Sequence, residues 1–120
     1  MINKDETYLV TGGAGFIGSN ICRELAAKNC RVRVFDNFST GRECNLADIS
    51  PKPEIIRGDL KDPDAVAEAV KGINVVFHQA ALPSVPRSIR NPQASNESNV
   101  TGTLNLLVAA RDAGVRRLVY

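Results

Sequence analysis

The sequence predicts an α/β protein in which helices cover both faces of a doubly wound parallel sheet. Three observations support this fold class: short apolar runs alternate with longer helical patterns, a glycine-rich turn follows the first run, and an acidic residue ends the second. Five runs have the length and composition of strands, namely residues 8–10, 32–35, 54–56, 74–77 and 118–120. Strands separated by helices pair in parallel, because each helix carries the chain back across the sheet.

The first helix is predicted over residues 16–28, directly after the glycine-rich turn. Its apolar side chains recur at near-helical spacing, so one face can lie on the sheet; they are Ile17, Ile21, Leu25 and Ala26. Cys22 lies on the same helix and is expected to fill space in the core.

The second helix is delimited by the residues at its ends. Asp62 and Pro63 are typical of an N-cap followed by a first-turn proline, and Gly72 is typical of a residue that ends a helix. The apolar stripe between them consists of Val66, Ala69 and Val70.

The last helix is delimited by Asn91 and Pro92 at its start and by Gly114 after its end, which predicts about twenty helical residues. The face expected to point inward carries Val100, Leu104, Leu107 and Val108. A row of uncharged polar residues, Asn96, Asn99 and Thr103, indicates that a polar partner packs against another side of this helix.

The composition is that of an ordinary folded protein of about one domain. Hydrophobic residues make up 43% of the 120, and 15 Lys and Arg against 13 Asp and Glu leave a net charge of +2. This balance excludes disorder as the main state. The chain has neither a basic cluster nor interleaved aromatic residues, which argues against a nucleic-acid partner.

The cysteines and the N-terminus bear on compartment and metal binding. Cys22, Cys30 and Cys44 are odd in number and form no C-x-x-C pair, and His78 is the single histidine. This pattern favours reduced thiols and no metal site. The charged N-terminus lacks the apolar run of a signal peptide, and no stretch approaches the roughly 18 apolar residues of a membrane span. We therefore expect a cytoplasmic protein that does not enter a membrane.

The strongest local signal is the segment from 11 to 19, which reads Thr-Gly-Gly-Ala-Gly-Phe-Ile-Gly-Ser. It lies between the first strand and the first helix, where glycines permit a tight turn and a close approach to a pyrophosphate at the helix N-terminus. Two registers fit, one on Gly13, Gly15 and Gly18 and the other on Gly12, Gly15 and Gly18. The G-x-x-x-x-G-K-[ST] loop is absent, which argues against an ATPase or GTPase.

Asp36 ends the second strand, 18 residues after Gly18, where dinucleotide-binding proteins place a ribose-binding acid. A carboxylate can accept hydrogen bonds from both ribose hydroxyls of NAD but repels the additional phosphate of NADP, so NAD is favoured. Arg42 follows six residues later, and the sequence leaves open whether it could bind that phosphate.

Taken together, these residues resemble the NAD-dependent epimerase/dehydratase family of the extended short-chain dehydrogenases/reductases. The resemblance extends over the whole chain through five motifs in order, at residues 11–19, 36–41, 58–60, 77–81 and 99–103. The loop at residues 81–89 is most similar to that of UDP-glucose and UDP-N-acetylglucosamine 4-epimerases. The resemblance implies a Rossmann-type sheet with strand order 3-2-1-4-5, truncated after the fifth strand.

The resemblance also implies a set of site residues. NAD would be bound by Gly12, Gly13, Ala14, Gly15, Phe16, Ile17, Gly18, Asp36, Asn37, Ser39, Thr40, Gly41, Asp59, Leu60, Gln79, Ala80, Ala81 and Asn99. Ser84 and Arg87, expected in a loop after the fourth strand, would contact the substrate. No metal and no catalytic residue is expected within the chain.

The implied parent enzyme interconverts UDP-hexoses or UDP-N-acetylhexosamines by transient hydride transfer at carbon 4 of the sugar, and is a homodimer. Its Tyr-x-x-x-Lys pair and its substrate domain belong beyond Tyr120, so residues 1–120 are expected to be the N-terminal part of an NAD-binding domain without turnover of its own. Two alternatives stay open: a non-catalytic NAD-binding module, and another reaction of the family, such as 4,6-dehydration or decarboxylation.

Three polar residues admit two interpretations each. His78 at the end of a strand is expected to be a structural hydrogen-bonding residue rather than a catalyst. Asp59 either caps a turn or contacts adenine, and the resemblance favours adenine. Asn99 within the last helix bridges neighbouring strands by hydrogen bonds, reaches the cofactor, or does both.

Overall fold

A computed structural model describes residues 2–120 and shows five strands in one parallel sheet of order 3-2-1-4-5, as predicted. The strands are Thr7–Thr11 (β1), Arg31–Asp36 (β2), Glu54–Arg57 (β3), Val75–His78 (β4) and Arg117–Val119 (β5). The strand β1 lies in the centre, with Val10 opposite Val34 of β2 on one side and Phe77 of β4 on the other. The carboxyl ends of β1, β2 and β4 therefore meet at one edge of the sheet.

Helices connect the strands. They are Phe16–Ala27 (α1), Pro63–Ala69 (α2), Val85–Arg90 (α3), Pro92–Asn96 (α4) and Gly102–Asp112 (α5), and Glu43–Asn45 forms a short 3₁₀ turn. The segment Glu97–Thr101 is a π-helix that joins α4 to α5, so helical structure runs from residue 92 to residue 112, close to the predicted length. No helix among residues 2–120 combines the length and apolarity needed to span a bilayer.

The helix ends expected from the sequence are confirmed. The Asp62 carboxylate accepts hydrogen bonds from the backbone N–H groups of Asp64 and Ala65, which is how an N-cap satisfies donors that have no partner in the first turn. Asn91 caps α4 by accepting from the N–H of Ala94. Gly72 follows α2 with a φ of 72°.

The core has one layer on each face of the sheet, because successive side chains of a strand point to opposite faces. Tyr8 and Val10 pack with Cys22 and Leu25 of α1 on one face. On the other face the core residues include Leu9, Phe35, Leu60, Val66, Val76 and Leu106. Burial raises the pKa of the Cys22 thiol to about 12, so this side chain stays protonated, as expected of a core residue.

Two predictions of helix orientation are wrong. Ile17 does not lie on the sheet but is 61% exposed, because the buried face of α1 begins one residue later and consists of Gly18, Ser19, Cys22, Leu25 and Ala26. The stripe of Val100, Leu104, Leu107 and Val108 also faces outward. The helix α5 instead buries Gly102, Leu106 and Ala110, whose two small residues let it approach closely. Periodicity thus identified an apolar stripe but not the side on which it is covered.

The predicted loop after β4 contains a helix that the sequence analysis missed. Ser84 is the N-cap of α3, accepting through its hydroxyl from the N–H of Arg87 at 3.3 Å. Pro86 occupies the first turn, where a missing N–H costs nothing. Ser84 and Arg87 are therefore helix-terminal residues rather than loop residues.

Candidate functional site

A cavity of about 370 Å³ lies at the sheet edge where β1, β2 and β4 end. Open α/β sheets bind ligands at this position, because helix N-termini and loops converge there. Its lining comprises Gly12, Gly15, Phe16, Ile17, Gly18, Phe35, Asp36, Asn37, Ser39, Thr40, Gly41, Gly58, Asp59, Leu60, Gln79, Ala80, Ala81, Leu82, Pro83 and Ser98.

The glycine turn begins at Gly12, which has a φ of 66° and donates its N–H to the carbonyl of Phe35 at 2.9 Å. A Cβ at Gly12 would lie 2.7 Å from the backbone nitrogen of Ala80, so only glycine fits both the conformation and the space. Gly13 is buried against Val34 and does not line the cavity. The geometry therefore favours the register on Gly12, Gly15 and Gly18.

The N-terminus of α1 opens into the cavity. Gly15 is its N-cap, and the N–H groups of Phe16, Ile17 and Gly18 belong to the first turn, where no preceding helical carbonyl accepts them. No acidic residue occupies this turn. A Cβ at Gly18 would collide with the carbonyl oxygen of Gly12, so this glycine keeps turn and helix in contact. The arrangement presents backbone donors and the positive end of a helix dipole to an anion.

The Asp36 carboxylate lies against the glycine turn. Its Oδ2 accepts from the N–H of Ala14 at 3.0 Å, and its Oδ1 accepts from the N–H of Phe38 at 2.8 Å. The residue is 8% exposed and still lines the cavity. Because each carboxylate oxygen can accept more than one hydrogen bond, both oxygens can also receive hydroxyl groups of a ligand.

The segment after Asp36 packs onto the same point. A Cβ at Gly41 would lie 2.8 Å from the Cβ of Ala14 and 3.0 Å from Asp36 Oδ2, so this glycine allows the loop to approach the acid. Ser39 and Thr40 place exposed side chains at the cavity. Arg42 is exposed, and the lining contributed by residues 2–120 does not include it.

Asp59 and Leu60 form the opposite wall of the cavity. Asp59 Oδ2 accepts from Asn37 Nδ2 at 3.2 Å, and its Oδ1 accepts from the N–H of Lys61 at 2.9 Å. Gly58 precedes them, and a Cβ there would meet the ring of Phe35 at 2.5 Å. This wall therefore places an oriented carboxylate beside the apolar side chain of Leu60.

His78 joins the ends of β1 and β4 to α5. Thr11 Oγ1 accepts from the N–H groups of Gln79 and Ala80, so its hydroxyl proton is free to donate to His78 Nδ1, 2.6 Å away. His78 Nε2 then donates to Thr103 Oγ1 at 2.8 Å. This network assigns the neutral Nε2–H tautomer, and burial lowers the pKa of His78, in agreement with a neutral ring. The histidine has the hydrogen-bonding arrangement expected of a structural residue.

Most residues predicted for the cofactor line the cavity: Gly12, Gly15, Phe16, Ile17, Gly18, Asp36, Asn37, Ser39, Thr40, Gly41, Asp59, Leu60, Gln79, Ala80 and Ala81. Gly13, Ala14 and Asn99 lie outside this lining. Asn99 Oδ1 accepts from the N–H of Leu82 at 2.8 Å, and Asn99 Nδ2 donates to the carbonyl of Leu82 at 3.3 Å. Because Leu82 lies after β4, this bridge joins the last helical stretch to a connecting segment, whereas a bridge between strands was predicted.

Neither predicted substrate residue, Ser84 or Arg87, lines the cavity. The lining residues that were not in the predicted set are Phe35, Gly58, Leu82, Pro83 and Ser98. Gly58 had a usable signal, because it opens the motif at residues 58–60 that also contains Asp59 and Leu60. No sequence signal indicated Ser98. This residue lies in the π-helical segment, and a π-helix has no sequence signature.

The sheet, the glycine turn and the acid beside it define a dinucleotide-binding α/β protein. Over residues 8–120 the chain matches the model of the NAD dependent epimerase/dehydratase family, and it belongs to that family. This confirms the family identified from the sequence and NAD as the cofactor of that family.

Relatives within the family differ in reaction. A UDP-glucose 4-epimerase of Rhizobium leguminosarum bv. trifolii is 42% identical over 117 residues, which are 96% of this chain and 35% of the relative. A 3 beta-hydroxysteroid dehydrogenase/Delta 5-->4-isomerase of Mycobacterium tuberculosis is 43% identical over 118 residues, covering 93% of this chain and 30% of the relative.

The crystal structure of the UDP-glucose 4-epimerase of Thermus thermophilus in complex with NAD has a TM-score of 0.88 and 42% identity. The superposition covers 95% of this chain and 36% of that one. The chain thus spans about a third of the length of the relatives it matches.

Proposed function

We propose that this chain binds NAD in the cavity and serves as the cofactor-binding portion of a nucleotide-sugar 4-epimerase. The pyrophosphate lies at the first turn of α1, and the adenosine ribose lies at Asp36. Adenine lies at Asp59 and Leu60. The observation that carries the proposal is the 3.0 Å hydrogen bond from Ala14 N–H to Asp36 Oδ2, which brings a ribose-binding acid to the phosphate-binding turn.

The nicotinamide end extends toward Gln79, Ala80 and Ala81. These residues also line a second cavity of about 320 Å³, together with His78, Asn99, Thr103 and Tyr120. NAD supplies a group that can take a hydride from carbon 4 of the sugar and return it. The residues of this chain bind and orient the cofactor, and proton transfer is assigned to none of them.

We propose that the substrate of the whole protein is a nucleotide sugar. UDP-hexoses and UDP-N-acetylhexosamines are favoured by the loop at residues 81–89 and by the epimerases among the relatives. A second candidate is another reaction on the same cofactor portion, because a steroid dehydrogenase/isomerase matches the chain at similar identity.

Calorimetric titration of the purified protein with NAD and with NADP tests the proposal. We expect NAD to bind at least about tenfold more tightly, because the Asp36 carboxylate repels a 2′-phosphate. Tighter binding of NADP would contradict the role of Asp36. Absence of binding by either dinucleotide would contradict the proposed function as a whole.

We also propose that the intact protein is a homodimer whose subunits pack through the outward face of the last helix. This face carries Val100, Leu104, Leu107 and Val108, and a second copy supplies a stripe of the same apolar character. We expect Leu104→Glu to convert dimers to monomers in light scattering, and Ala67→Glu, on the exposed side of α2, to leave them intact. A wild-type monomer at high concentration would contradict this proposal.

A further inference from the structure

The helix α5 contacts the back of the cavity wall at Leu60. Asn105 Nδ2 donates a hydrogen bond to the carbonyl oxygen of Leu60 at 2.8 Å. One turn earlier Gly102 is buried, and a Cβ there would lie 2.9 Å from the Cβ of Leu60. The missing side chain at Gly102 thus lets α5 come close enough for the amide of Asn105 to reach a backbone carbonyl.

The peptide unit that accepts a hydrogen bond from Asn105 also donates one to Asp59, which lines the cavity. The carbonyl that accepts from Asn105 belongs to the peptide between Leu60 and Lys61, and the N–H of that same peptide donates to Asp59 Oδ1 at 2.9 Å. A peptide unit is planar, so fixing its carbonyl also fixes the direction of its N–H. The amide of Asn105 therefore orients the carboxylate of Asp59 without touching the cavity.

Asp59 is held from the cavity side as well, where Asn37 Nδ2 lies 3.2 Å from its Oδ2. Asn105 itself is half-buried and lies outside the cavity lining formed by residues 2–120. Asparagine is a poor residue for the interior of a helix, so this position in α5 is better explained by the hydrogen bond to Leu60 than by helix propensity.

We propose that Asn105 is a positioning residue for recognition of the purine base. It fixes the peptide after Leu60, and that peptide aims the Asp59 carboxylate at the exocyclic amino group of adenine. This inference rests on the proposed function, which places adenine beside Asp59 and Leu60. It extends the set of residues that determine cofactor selectivity to one that makes no contact with the cofactor.

The test compares the Kd of NAD with that of nicotinamide hypoxanthine dinucleotide, which has a carbonyl oxygen in place of the adenine amino group. The variants are Asn105→Ala and the nearly isosteric Asn105→Asp, which keeps the side-chain volume but cannot donate to Leu60 when ionised. The control is Asn96→Ala, which changes an exposed asparagine on the same helical stretch.

We expect both Asn105 variants to bind NAD about 2- to 10-fold more weakly, the range of one net hydrogen bond. Binding of the hypoxanthine analogue should change less, so the ratio of the two Kd values narrows, while Asn96→Ala leaves it unchanged. An unchanged ratio in both variants would reduce Asn105 to a structural role and overturn the inference. Failure of the unsubstituted protein to bind NAD would instead overturn the proposed function, and this inference with it.

Discussion

Replacing Asp36 with alanine is expected to weaken NAD binding by about 1–3 kcal/mol, roughly 5- to 150-fold in Kd. The substitution removes the acceptors that the proposed function assigns to the ribose hydroxyls. It also leaves the N–H groups of Ala14 and Phe38 without the carboxylate that they contact at 3.0 and 2.8 Å. Isothermal titration calorimetry measures the change directly.

A second substitution separates the charge of Asp36 from its hydrogen bonding. Asp36→Asn keeps one acceptor oxygen and removes the negative charge, so we expect the preference for NAD over NADP to narrow. The control is Asp5→Ala, which removes an exposed carboxylate close to the start of β1, at the opposite end of that strand from the glycine turn. Unaltered NAD affinity in Asp36→Ala would show that the acid does not contact the ribose.

Replacing Gly12 with alanine is expected to lower the free energy of unfolding by about 2–5 kcal/mol. The new Cβ would lie between 2.7 and 2.9 Å from backbone atoms of Gln79 and Ala80, and the residue has a φ of 66°. Neither problem can be relieved by a side-chain rotation, because the colliding atoms are backbone. Urea denaturation followed by circular dichroism gives the free energy.

The chain offers a matched control for Gly12. Gly72 has a φ of 72°, and no atom beyond its own chain neighbours lies within 4 Å of a Cβ built there. We expect Gly72→Ala to cost about 1–2 kcal/mol, which is the conformational part alone. The difference between the two variants then measures how tightly the glycine turn packs against the segment after β4. Equal costs would mean that this segment moves aside.

Local patterns were sufficient to predict the five strands and the ends of α1, α2 and the helical stretch at residues 92–112, but not α3. Asp62 was recognised as an N-cap because its role depends only on the residues that immediately follow it. The strand order was implied by family resemblance, and the register pairing Val10 with Val34 was accessible only from coordinates. Asp36 was identified from its spacing to Gly18, because a βαβ unit places the ends of its two strands side by side.

Non-local contacts could not be predicted in the same way. The outward direction of Leu104 depends on what packs against α5, and its apolar spacing is the same whether the stripe faces the sheet or a second chain. The Asp36 carboxylate accepts from the backbone N–H of Ala14, and the type of residue at position 14 does not indicate that its backbone makes this contact. Asn99 was expected to bridge strands, to reach the cofactor, or both, and the structure shows a bridge to Leu82, which lies after β4 and outside the strands.

The hydrogen-bonded chain through His78 has a consequence for the energetics of ligand binding. Thr11, His78 and Thr103 connect two strand ends and a helix through side chains that already satisfy one another. Through Thr11, this network also accepts hydrogen bonds from the N–H groups of Gln79 and Ala80, which line the cavity. The backbone at this point is therefore hydrogen-bonded within the protein itself, and binding of a dinucleotide does not have to order it. Preorganisation of this kind reduces the entropic cost of binding, because the dinucleotide then loses more conformational freedom than the protein does.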